Sequence, residues 1–161
     1  MPRKTVLLVC YGNICRSPMA EGFLNKMLLD KTDEVKVISA GLNAYGGSPT
    51  REAIEVMKTE DIDISGYRSK QLTKELIETS DLILTMKKEY KDSILSRYPE
   101  FKHKVFTLKE FAGETEDLDI ADPYSEGMKA YEACAKEIKQ TLTNAFEKIV
   151  NQKECVRKKL Y

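Results

Sequence analysis

Residues 10 to 17 read Cys-Tyr-Gly-Asn-Ile-Cys-Arg-Ser, directly behind the apolar run Thr5-Val6-Leu7-Leu8-Val9 and directly ahead of Pro18. The run reads as a buried strand. Pro18 suits the first turn of a helix whose inner face carries Ala20, Phe23, Leu24, Met27 and Leu28. A strand, a tight loop and a helix in immediate succession confine the chain to folds in which strands and helices alternate. The loop between them has to wrap around something. Cys10 and Arg16, with five residues between them, can surround one phosphate-sized anion. The loop amides and the helix N-terminus would face it, the guanidinium would grip two oxygens and the sulfur would lie beneath the phosphorus.

Further apolar runs at 35–39, 82–85 and 105–107 alternate with segments of helical spacing. Thr50 can cap a helix running through Thr59 with Ala53, Ile54 and Met57 inward, and Thr73 a short one through Thr79. A helix from about Lys87 should stop at Tyr98, because a residue before proline disfavours helical backbone. The last helix is the longest, with Tyr131, Cys134, Ala135, Ile138, Leu142, Ala145, Phe146 and Ile149 on one stripe. Strands too apolar to have a wet face imply an α/β fold with a four-stranded parallel sheet covered by helices on both faces. Such sheets place ligands at the carboxyl ends of their strands near the switch point, where Cys10 would stand.

With 161 residues the chain is one domain's worth, expected to span 1–151 and to be followed by a basic tail at 152–161. Acidic and basic side chains balance at 26 each, so no overall field draws the protein to nucleic acid or an anionic membrane. No segment approaches the roughly 18 apolar residues of a membrane span, and the N-terminus lacks a secretion signal, which together read as cytoplasmic. The four cysteines, at 10, 15, 134 and 155, are not spaced like zinc ligands, and His103 is the only histidine. Neither a metal nor another cofactor is expected, and Cys10 is left as a free thiol.

Attack of sulfur on a phosphate monoester needs a thiolate, which the loop amides, the helix start and Arg16 would all favour. Ser17 can add a hydroxyl hydrogen bond. A cysteine alone would read as a small core residue; Arg16 and Ser17 at this spacing reverse that. Gly12 and Asn13 are the residue types that most readily take left-handed backbone, which an inward-turned loop requires. The leaving oxygen also needs a proton. Among Glu116, Asp117, Asp119 and Asp122, Asp122 is the favoured donor, because Pro123 stiffens the chain beside it and Tyr124 adds an aromatic wall.

The stretch from Val9 to Glu21, with Cys10-Tyr11-Gly12-Asn13-Ile14-Cys15-Arg16-Ser17 at its centre, closely resembles the active-site signature of low-molecular-weight protein tyrosine phosphatases, and Asp122-Pro123-Tyr124 resembles their general-acid loop. Ser39-Ala40-Gly41, Ser69-Lys70-Gln71-Leu72-Thr73 and Asp81-Leu82-Ile83-Leu84-Thr85-Met86 extend the resemblance over nearly the whole chain. It implies phosphorylated proteins as substrates, a phosphocysteine on Cys10, Asp122 as acid and then base, no metal, a monomer, and a network joining Asn13, Ser17 and Ser39. Many relatives support the loop asparagine with a histidine, a place that alignment gives here to Tyr67. Tyr11, Ile14 and Tyr124 are expected to wall the cleft. The body also resembles the bacterial branch that dephosphorylates protein arginine, in which threonine tends to precede the second loop cysteine; the apolar Ile14 suits a flat phenyl ring instead.

Cys15 shares the loop with Cys10, so a reversible disulfide protecting the nucleophile is one reading and simple packing the other. Rival functions fit less well. An arsenate reductase needs further thiols, and 81–98 contains no cysteine. A phosphocysteine sugar-transport subunit would not call for Arg16 or Asp122, and a silent phosphoprotein-binding module would not need both Cys10 and Asp122.

Overall fold

The computed structural model describes residues 3–151; the expected basic tail, 152–161, lies outside the described residues. Four strands, β1 (Lys4–Cys10), β2 (Val35–Gly41), β3 (Leu82–Thr85) and β4 (Val105–Thr107), form one sheet in the order β2-β1-β3-β4 with every pair parallel. The central strand β1 alternates its side chains between two cores. Val6, Leu8 and Cys10 face the larger one, and Leu7 and Val9 face the smaller.

The larger core is closed by α1 (Arg16–Leu28), α2 (Arg51–Lys58), α5 (Leu108–Phe111) and α6 (Met128–Asn151). Two further helices, α3 (Lys74–Thr79) and α4 (Lys88–Arg97), bring Ile77 and Ile94 onto the other face. Thr50 and Thr73 cap α2 and α3 by accepting the amides of Ala53 and Leu76. α4 ends at Arg97 as the proline argument requires, but the chain continues through a 3-10 helix at Pro99–Lys104. That turn and α5 were not expected from apolar spacing, being too short to show a period. α5 does carry a legible signal, a capping box in which Thr107 and Glu110 satisfy each other's backbone amides.

Lysines serve as buried struts. Lys104 Nζ donates to the carbonyls of Glu78 and Ser80 at the end of α3, and Lys4 Nζ donates to that of Ile149 near the end of α6. Lys104 thereby satisfies carbonyls that the terminus of α3 leaves without partners.

Candidate active site

Cys10 ends β1, where the strand order reverses between β2 and β3, so the loop that follows opens into the crevice at the sheet's carboxyl edge. Its sulfur lies 3.3 Å from the Asn13 amide, which donates to it, and 3.0 Å from the Ser17 hydroxyl. Asn13 takes left-handed backbone at φ 56°, turning that amide inward. Gly12 does not, contrary to expectation: one reversal suffices, and among glycines the positive-φ positions are Gly46, Gly113 and Gly127. The tight approach is made by another glycine. A Cβ on Gly41 would lie 2.7 Å from the Tyr11 carbonyl oxygen and 2.9 Å from the Asn13 nitrogen, so the end of β2 is pressed against the loop backbone.

The Asn13 side-chain amide donates to Ser17 Oγ at 2.7 Å and to Ser39 Oγ at 2.9 Å, while its oxygen accepts the backbone amide of Lys70 at 3.0 Å. Both amide protons are used. Ser39 passes its own proton to Glu21 Oε1 at 2.5 Å, so each hydroxyl has a fixed direction and the Ser17 proton is left for Cys10. Tyr67 does not supply the support expected of it. It borders a shallow cavity with Asn13, Glu21, Ser39 and Lys70, but the Asn13 oxygen is held by main chain. Burial raises the Tyr67 phenol, as does the charge of Glu21, while a hydrogen bond from Asn25 opposes this.

Arg16, the first residue of α1, is 1% exposed. Nη1 donates to the Ile120 carbonyl at 2.9 Å, Nη2 donates to the Tyr90 hydroxyl at 2.8 Å, and Asp122 Oδ2 lies 3.4 Å from the same Nη2. Among the described residues nothing accepts from Nε, although that nitrogen is buried. A buried donor without a partner is costly. Nε and the second Nη2 proton form the edge that takes two phosphate oxygens side by side, and the arrangement leaves that edge for an anion. Burial disfavours the guanidinium charge, but Cys10 and Tyr90 outweigh it and hold its pKa above the usual value.

The acidic stretch sorts into separate duties. Asp119 Oδ1 accepts the Lys88 amide at the start of α4, and the Ile120 amide donates to Met86, so the loop is tied to the end of β3. Asp117 adopts left-handed backbone. Asp122 alone of the four reaches Arg16, and its Oδ1 accepts the Tyr124 amide at 3.1 Å. A cleft of about 610 Å³ lies above the loop, lined by Tyr11, Ile14, Cys15, Tyr45, Asp122 and Tyr124 among others, and its surface is mostly apolar. Tyr11 is steadied by Asn43, which donates to its hydroxyl, and by the Tyr90 ring 6.4 Å away.

Cys15 is turned out of the cradle toward the core. Its sulfur meets the Tyr131 hydroxyl at 3.2 Å and the Thr50 hydroxyl at 3.8 Å, and burial pushes its thiol pKa up to about 11 against those hydrogen bonds. Cys134 is buried in the α6 stripe, which pushes its thiol up to about 12.

The family model for low molecular weight phosphotyrosine protein phosphatases matches residues 5–155. The chain belongs to that family. It is 46% identical over 138 residues, covering 85% of this chain and 90% of the relative, to a probable low molecular weight protein-tyrosine-phosphatase of Ralstonia nicotianae. It is 42% identical over 146 residues, covering 89% and 95%, to the protein-arginine-phosphatase of Geobacillus stearothermophilus. Among solved structures, the low molecular weight protein tyrosine phosphatase of T. tengcongensis superposes with a TM-score of 0.84 at 41% identity, covering 90% of this chain and 99% of that one. Members of the family are phosphatases acting on phosphorylated proteins.

Three residues of the site were given no role of their own by the sequence. Glu21, Tyr90 and Gly41 act on the loop only through contacts that tertiary structure creates. Tyr90 had one indirect signal: it follows the carboxyl end of β3, the edge where an open parallel sheet gathers its ligands.

Proposed function

We propose that this protein hydrolyses phosphotyrosine in other proteins through a phosphocysteine on Cys10. The observation that carries the reading is a Cys10 sulfur with two donors aimed at it beside a buried Arg16 whose Nε has no partner among the described residues and whose Nη2 lies 3.4 Å from Asp122, a residue lining the apolar cleft. The Cys10 thiolate attacks phosphorus and the P–O bond to the phenol breaks, its oxygen taking the proton of the Asp122 carboxyl. Water then attacks the phosphocysteine, Asp122 takes a water proton, and the S–P bond breaks to return thiolate and release phosphate. Arg16 and the loop amides hold the equatorial oxygens in both steps, and the Ser17 proton stabilises the departing sulfur.

Tyr11, Ile14, Tyr45 and Tyr124 give the cleft the flat, apolar walls that suit a phenyl ring. Similarity to the protein-arginine-phosphatase of Geobacillus stearothermophilus favours phosphoarginine as the second reading. The enzyme acts as a cytoplasmic monomer. A reversible Cys10–Cys15 disulfide would need Cys15 to turn back from Tyr131 and lose a proton that burial holds on it, so of the two readings of Cys15 the geometry favours packing.

The test is metal-free hydrolysis of an aryl phosphate by the wild type, Cys10→Ser and Asp122→Asn. The first change is expected to abolish turnover and the second to lower kcat by about 10²–10⁴. Turnover that survives in Cys10→Ser overturns the mechanism. Matched phosphotyrosine and phosphoarginine peptides decide the substrate, a higher kcat/KM on phosphoarginine reversing the choice made here.

A further inference from the structure

Tyr90 touches both halves of the site without belonging to the loop. It is the third residue of α4 and is 6% exposed. Its hydroxyl oxygen accepts a proton from Arg16 Nη2 at 2.8 Å, and its ring lies 6.4 Å from that of Tyr11, which borders the cleft. Two residues before it, the Lys88 amide holds Asp119 and with it the start of the loop that carries Asp122. The first turn of α4 therefore meets the phosphate-binding arginine, a wall of the cleft and the acid loop together.

The proton ledger of Arg16 gives Tyr90 a particular task. Nη1 is committed to the Ile120 carbonyl and one Nη2 proton to the Tyr90 hydroxyl, which leaves the second Nη2 proton for phosphate with the Asp122 carboxylate standing 3.4 Å away. With Tyr90 in place, the guanidinium is held at both ends of its outer edge, which aims the Nε–Nη2 edge at the cradle. If the phenol oxygen were missing, Nη2 would be free to swing toward Asp122, and a carboxylate would sit where a phosphate oxygen belongs. That pairing would also draw the acid away from the leaving group. Burial raises the Tyr90 phenol, against the pull of Arg16, so it stays a neutral acceptor across the physiological range.

Building on the phosphatase reading, we propose that Tyr90 is a positioning residue, which holds Arg16 for phosphate and keeps its 3.4 Å ion pair with Asp122 from closing into a direct hydrogen bond. The hydroxyl accepts from the arginine, while the ring faces Tyr11 and lies 5.3 Å from the guanidinium carbon, so substitution can separate the acceptor from the ring contacts. Tyr90→Phe keeps the ring and removes the acceptor. Tyr90→His restores an acceptor through a ring nitrogen.

The experiment measures three quantities on the wild type, Tyr90→Phe and Tyr90→His: binding of inorganic phosphate by titration calorimetry, kcat and KM on an aryl phosphate, and the thermal midpoint. Loss of a donor that meets the transition state directly costs about 10²–10³ in rate, so loss of its support is expected to cost about tenfold, in both phosphate affinity and kcat/KM. Tyr90→His is expected to recover most of both. Adding Asp122→Asn to Tyr90→Phe should shrink the loss of phosphate affinity, because the competing carboxylate is gone. Unchanged phosphate affinity in folded Tyr90→Phe overturns the proposal, as does an equal loss in Tyr90→His at an unaltered midpoint. A wild type that binds phosphate but does not turn over the ester refutes the phosphatase reading instead, and the calorimetric comparison still decides the role of Tyr90.

Discussion

The two loops that meet over Cys10 are built on opposite plans. The loop from Cys10 to Ser17 exposes Tyr11 but buries its anchors, with Asn13, Arg16 and Ser17 each at most 2% exposed and tied to residues from β2, α4 and the segment around Lys70. The acid loop is open. The Asp122 side chain is 42% exposed, Tyr124 57%, and Asp117, Ser125 and two flanking glycines take left-handed backbone. It is pinned mainly at its middle, through Asp119 and Ile120. Receiving a phosphoryl group calls for donors that are already in place, since reorganising them would consume the binding energy. Delivering a proton to leaving groups of varied position calls for a carboxyl that can adjust, and exposure with sparse anchoring provides it.

The contrast can be broken at four places. Arg16→Lys keeps a charge but loses the planar fork, and kcat/KM should fall by about 10³ whatever the leaving group; a loss confined to poor leaving groups would mean that Arg16 serves the acid rather than the phosphate. Gly41→Ala drives a methyl into the loop backbone. It should cost about 1–3 kcal/mol in urea unfolding and lower phosphate affinity as the Asn13 amide is displaced. Asp119→Ala removes the anchor of the acid loop from Lys88. About 1 kcal/mol of stability and a few-fold in kcat should go with it. The loss should be visible with alkyl esters and nearly absent with p-nitrophenyl phosphate, whose leaving group needs no proton.

The smallest effect tests the sign of a titration. Burial raises the Glu21 carboxyl, against the Ser39 hydrogen bond and the charge of Lys70. The folded state therefore holds that proton more tightly than the unfolded chain, so the contribution of Glu21 to stability falls as pH climbs from the ordinary glutamate range through the folded value. Glu21→Gln, which keeps an acceptor for Ser39, should melt roughly 1–2 °C above the wild type at pH 7, with the difference closing at pH 4. A gap that widens on acidification would contradict the assignment.

The same division explains what could be read in advance. The strand, loop and helix from Lys4 to Leu28 are contiguous, so the placing of Cys10, Arg16 and Ser17 on one loop could be read from spacing alone, and the parallel sheet followed from apolar runs without a wet face. Asp122 could be ranked above its acidic neighbours only through Pro123 and Tyr124. Tyr90, Glu21 and Gly41 carried no local mark because each acquires its role from a segment distant in sequence. The expectations for Tyr67 and Gly12 failed for a related reason: a backbone amide, that of Lys70, can take the part of a side chain, and Asn13 alone can reverse the loop.

That Lys70 amide ties the order of assembly to the appearance of activity. The segment bearing Cys10 is made before the segments that hold it: its oxygen clamp comes from residue 70, its arginine supports from residues 90 and 120, and the hydroxyl against Cys15 from residue 131. On the proposed mechanism, a chain that holds the octapeptide without those later segments would lack the supports of the cradle, and turnover would report the completed fold.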